Sequence, residues 1–379
     1  YQLQLADKIN TRNVRAYVSN SELSMGNWYK FHINESGIYR ITYDDLKNMG
    51  VNMTQINPDM IRIFGNGGKL LSETAGNNLN DDIVENAIQV VTAVPGVFKQ
   101  GDYILFYGQG TLTWSYSPLT GRMEHLTHYY ADKAAYFLSI GPLPGLRVST
   151  DNSTYGNPNY FTDAYTDMAV YEKDQFNLIQ SGRTWYSDKL DYYTRSHRLP
   201  SFTFKNLIEG ENATLRFSLV GRSSNSRIDF SILANGEEIG NTYVQKTGKY
   251  DYAMDVTRTV SFQPSYPNID LQWNFTPSST NDFAWLDYMS LNVRSALVFD
   301  HGQLAFRDPG SIGQGRITRF TMKNVPRQTF VWDVTNPLRP INIPLQREGD
   351  EIKFVRSTTG LVEMIAFDGT DFLSIEKGT

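Results

Sequence analysis

His125 and His128 stand three residues apart with Asp132 behind them, and this is the arrangement in the chain nearest to a metal site. On a helix that spacing puts two imidazoles on one face. The run 122–134 carries no apolar helical stripe, however, and leads into an expected strand at 136–140, so we read loop histidines and assign no metal. His32, His197 and His301 are isolated, and no sequence logic joins them to a Ser and an Asp as a triad. Asp81, Asp82 and Glu85 could pair as acids, and Asn78, Asn80 and Asp82 alternate as the oxygen ligands of a hard cation do, but the default reading is a solvated acidic loop. Trp114 with Tyr116, and Trp185 with Tyr186, are the candidate binding residues, as flat platforms for a sugar ring or a peptide. Gly65-Asn66-Gly67-Gly68 follows a strand as a phosphate cradle would, yet it lacks the third glycine and the helix that the dinucleotide fingerprint requires; we read a β-turn. The chain has no cysteine, which removes disulfides, thiolate metal sites and any thiol nucleophile, so no catalytic residue and no cofactor is assigned.

Those side chains need a scaffold, and at 379 residues two or three domains are expected. A net charge of −5 without a basic stripe argues against nucleic acid as a partner. With 23 Tyr and 21 Phe and abundant Asn, Ser and Thr, strands and loops are favoured over helices. No stretch approaches the roughly 18 uninterrupted apolar residues of a membrane helix. The chain opens on Tyr1 with no signal-peptide pattern, so we expect a processed or excised piece, and an exported soluble module fits best.

We expect a mainly β, multi-domain chain. Residues 1–150 read as a mostly β domain with one short helix. In it, Asn34 to Gly37 is expected to join the runs 31–33 and 38–41 as a tight hairpin. Thr42 and Asp45 form a capping box for a helix at 44–49 that Gly50 ends, and an extended lead-in is expected before Asn27. Ser149 to Tyr160 has turn and linker chemistry and marks the main boundary. Residues 151–298 carry the cleanest alternation, with Ala213, Leu215, Phe217 and Leu219 on one face, then Ile228, Phe230 and Ile232, then Ile269, Leu271, Trp273 and Phe275. Asn235-Gly236 turns that chain as a type I′ hairpin does, and a jelly-roll-like antiparallel sandwich follows. Residues 299–379 continue as β-structure, whether as a separate unit or as further strands of the sandwich.

Trp28-Tyr29-Lys30, the run SGIYRITYDDL from Ser36, the run NPDMIRIFGNGG from Asn57 and the run GDYILFYG from Gly101 resemble the N-terminal region of PorU-type, gingipain-like sortases of the type IX secretion system in Bacteroidetes. Further on, the run WDVTNPL from Trp332 and Ala366-Phe367-Asp368 resemble the segment leading into the peptidase domain of such proteins. The resemblance spans nearly the whole chain. It implies a non-catalytic part of a cell-surface, outer-membrane-associated cysteine peptidase that removes the C-terminal signal of secreted cargo and joins the cargo to a surface anchor. The implied partners are a downstream peptidase domain, secretion components of the outer membrane and cargo signal domains. The catalytic Cys and His of that chemistry lie outside this chain, and 299–379 is expected to bridge to the peptidase domain, with exposed apolar surface around Trp332 and Phe367. The competing expectation, which jelly-roll folds allow, is an independent glycan-binding adhesin or carbohydrate-binding module protein.

Overall fold

The expected capping box forms: the Thr42 hydroxyl accepts from Asp45 N–H, and the Asp45 carboxylate accepts from Thr42 N–H at 2.8 Å. Helix Tyr43–Asn48 follows, with Leu46 turned into the core and Gly50 past its end at φ +91°. These details come from a computed structural model, which describes residues 18–54, 56–71, 80–180 and 184–378. Most of the lead-in before Asn27, and Asn78 of the acidic alternation, lie outside the described residues.

The hairpin expected around Asn34 to Gly37 does not form. Strand Trp28–Ile33 pairs antiparallel with Ala134–Ile140, whereas Gly37–Thr42 pairs antiparallel with Tyr103–Gly108, in a different sheet. The turn is instead a corner between two sheets that face each other, and Phe31, Tyr39, Phe106 and Tyr136 meet in the core between them. Non-local apolar pairing outweighs the local turn signal here. Gly108 makes the corner possible, since a Cβ there would stand 2.6 Å from Ile33 Cδ1 and 2.8 Å from the Tyr39 ring.

The Gly65 to Gly68 turn packs against the Gln109-Gly110 loop, with Gly68 N–H donating to Gln109 C=O at 2.9 Å. A Cβ at Gly68 would lie 2.4 Å from the carbonyl oxygen of Gly110. Gly68 is therefore explained by backbone-to-backbone contact, and Gly65 by the Tyr136 ring, which a Cβ there would meet at 2.6 Å.

The second unit is the expected sandwich. One sheet has the order Ala164–Glu172, Phe283–Ala296, Ala213–Arg222, Met254–Phe262; the other runs Ser196–Arg198, Leu271–Thr276, Ile228–Ala234, Glu237–Val244, and all these pairings are antiparallel. The inward positions read from the sequence are at most 2 % exposed across both sheets. Asn235 and Gly236 both have positive φ, as a type I′ turn demands.

A third core lies between the sheet containing Phe330–Asp333, Met364–Phe367 and Gln303–Phe306 and the sheet containing Ile317–Met322 and Glu351–Ser357. The stretch read as linker adds a strand to each, Ser149–Thr150 and Tyr160–Thr162, both parallel to their neighbours. Between them Arg356 forms ion pairs with Asp151 and Asp333 and donates to the Tyr155 hydroxyl at 2.8 Å. Trp332 and Phe367, expected on an exposed face, are each 1 % exposed: they pack against Ile38 and Leu105 of the first unit. The chain then returns, and Glu376–Lys377 pairs with Phe31 and His32 at the edge of the first sheet. Among the described residues no helix is long and apolar enough to cross a membrane.

Candidate functional site

Strands Leu112–Ser117 and Arg122–Thr127 form a two-stranded ribbon that leaves the first unit and lies on the outer face of the sandwich. The sequence reading missed it. Its signal was present: Leu112, Trp114 and Tyr116 alternate, and the turn at 118–121 ends on Gly121 at φ +67°. The ribbon is held by the Asn292 side-chain amide, which accepts from Met123 N–H at 2.8 Å and donates to Met123 C=O at 3.0 Å. Arg122 donates to the Thr259 hydroxyl at 2.7 Å.

Beneath the ribbon is a cavity of about 300 Å³. It sits where the 14-residue strand Phe283–Ala296 changes partner: Ala164–Glu172 pairs with it down to Tyr288, and Ser187–Asp191 takes over at Leu286. On the other side the register also slips, from Ser218 opposite Tyr288 to Leu219 opposite Leu286. Asp287 is the residue left over on both sides, and this bulge aims its carboxyl into the cavity, where Ser218 hydrogen-bonds to it. Burial pushes the Asp287 carboxyl up to about 6, against the opposing Ser218 hydrogen bond and with help from the nearby charge of Glu172. Burial also acts to raise Glu172, but hydrogen bonds from His125 and Thr127 outweigh it and hold Glu172 below the usual range. Two carboxyl groups of one cavity are thus driven apart by their surroundings.

The histidine pair divides. His125 lies in a strand rather than a loop, its Nε2 3.4 Å from Glu172 Oε2 and its ring edge-on to Tyr288 at 4.7 Å. His128 lies past the strand end and accepts from Tyr130 N–H at 3.2 Å. No group of three potential metal ligands occurs among the described residues. Trp114 stands beside His125, ring centroids 5.6 Å apart, and Trp185 lines the cavity, 37 % exposed. Tyr186 exchanges backbone hydrogen bonds with Phe176, and Tyr116 is paired with Met123 along the ribbon. The structure therefore brings Trp114 and Trp185 to one joint and leaves Tyr116 and Tyr186 beside it. The acidic loop is occupied structurally: Asp82 accepts from Ser21, Glu22 N–H and Ile83 N–H, Asp81 accepts from Val18 N–H, and Glu85 pairs with Arg62 at 2.8 Å.

Chemically, the joint is a small, mostly acidic, hydrogen-bonding cavity. Arg216 is its cationic counterweight, 2.9 Å from the Tyr288 hydroxyl and 3.7 Å from Glu124.

No known family profile matches the sequence, and no curated protein matches it. Among solved structures, dimeric latent PorU from Porphyromonas gingivalis superposes with a TM-score of 0.78 at 23 % identity over 94 % of this chain, which spans 33 % of the PorU chain. Two carbohydrate-binding modules, the CBM36-1 domain of a xylanase from the hindgut metagenome of Trinervitermes trinervoides and the C-terminal CBM6 of LamC from Zobellia galactanivorans, overlap 33 % of the chain at 16 % and 12 % identity, both with a TM-score of 0.20. In fold, the chain is a PorU-like region across nearly its whole length, as its glycine and aromatic motifs led us to expect.

Proposed function

We infer that the chain is a non-catalytic scaffold of a cell-surface gingipain-like sortase, and that cleavage of C-terminal cargo signals and attachment to a surface anchor are carried out by a peptidase module of the same protein. The observation that carries this reading is the fold likeness over 94 % of the chain, which spans only 33 % of PorU. The lack of any cysteine agrees with it, since a thiol nucleophile has to come from elsewhere in the protein. Three mutually packed β units offer that module a platform, with 299–379 as its nearest neighbour in sequence. Secretion components of the outer membrane and cargo signal domains are the further partners. The adhesin alternative gains nothing from the carbohydrate-module overlaps, which are too poor to bear on it.

The test is the reading frame downstream of Thr379. A Cys- and His-bearing α/β module in frame supports the proposal; a stop codon there contradicts it.

A further inference from the structure

The sandwich also carries an open groove of about 560 Å³ beside the Asn235-Gly236 turn. Its floor is rigid and internally satisfied. The Asn235 side chain donates to Asn268 C=O at 3.1 Å and accepts from Asp270 N–H at 2.7 Å, and the Asn268 side chain accepts from the Thr203 hydroxyl at 2.9 Å. Three groups on the rim are free of such ties. Tyr266 is 64 % exposed, and the Arg198 guanidinium and the Asp270 carboxylate line the same groove without pairing with each other or with any other described residue. Gln272, which stands opposite Arg198 in the register, adds a side-chain carbonyl oxygen.

We propose that this groove is a binding site for a neutral saccharide. An anion would gain Arg198 but be repelled by Asp270, and a cation would meet the reverse. A pair of neighbouring hydroxyls can accept from the guanidinium and donate to the carboxylate at once, satisfying both. The Tyr266 ring supplies a flat apolar face for the C–H side of a sugar ring. Because Asn235 and Asn268 are already fixed, little ordering is lost on binding. The site is independent of the scaffold reading above, and neither stands or falls with the other.

The experiment is saturation-transfer NMR on the whole chain with mannotriose, cellotriose and N-acetylchitotriose, and with glucuronate and lysine as charged probes. The expected result is transfer to the ring protons of at least one neutral trisaccharide. Binding should weaken at least tenfold in Tyr266→Ala and Asp270→Ala, persist in Tyr266→Phe, and be unchanged in Trp185→Ala. All these side chains except Trp185 are outside the ribbon joint, and exposed Tyr266 and Asp270 can be replaced without opening a core. No transfer to any neutral trisaccharide, stronger binding of either charged probe, or wild-type binding by Tyr266→Ala would overturn the proposal.

Discussion

Asp287 shows how one residue of register can create a chemically distinct group. Its neighbours in the strand, Leu286 and Met289, are fully buried on the core side, while the bulge leaves its own carboxyl in a half-buried, mostly acidic cavity. Its pKa rises from 3.8 to about 6 on folding, so the unfolded chain ionises first. The sign follows: below about pH 4 the group costs nothing, the penalty grows as pH rises through the folded value, and above about pH 6 it is complete at roughly 2 to 3 kcal/mol. Asp287→Asn keeps a partner for Ser218 and removes the penalty. Its stability advantage over wild type in urea unfolding should be near zero at pH 4, grow to pH 7 and then stay flat. An advantage independent of pH would show that burial does not tune this carboxyl. The sequence named Trp114, Trp185 and His125 but missed Asp287, because a bulge arises from the mismatch between strands distant in sequence, and neither strand announces it.

Elements were legible where both periodicity and local chemistry agreed. The Thr42 capping box, the Asn235-Gly236 turn and the inward faces of 213–219, 228–232 and 269–275 all needed nothing beyond local sequence. The corner at Asn34 to Gly37 did not, since its turn residues suit a hairpin and only the competition of two better partners sends the flanking strands to opposite sheets. Thr42→Ala should cost about 1 kcal/mol and loosen the amide of Asp45 in hydrogen exchange; an unchanged amide would mean that the box is not formed in solution. The ribbon makes a sharper test of the joint. Asn292→Ala leaves both Met123 N–H and C=O without their partner in a 2 % exposed residue, at a cost of about 1 to 3 kcal/mol. Exchange at Met123 should accelerate while the amides of 213–219 stay protected. Equal exchange in the variant and wild type would count against ribbon docking.

At the scale of the molecule, 149–160 looks in sequence like a linker open to proteases, but it is tied by two parallel strand pairings and by Arg356. Chymotrypsin should therefore cut first at the ribbon tip, where Leu119 is 99 % exposed, and not in 149–160. Arg356→Ala strands two partly buried carboxylates, costs about 3 to 5 kcal/mol and should open 149–160 to cleavage. The same closure appears at the far end of the chain, where Trp332, Phe367 and the strand Glu376–Lys377 all pack back on the first unit. Sequence alone could not show this, because the partners lie more than 200 residues away from one another. The described units are thus closed on one another, and the chain carries no thiol. The most direct measurement is cleavage of a cargo C-terminal signal peptide by the full-length protein and by this chain, each with and without thiol alkylation. Turnover by the full-length protein that alkylation abolishes, and none by the chain, is the expected result; turnover by the chain, or full-length activity indifferent to alkylation, would overturn the scaffold proposal.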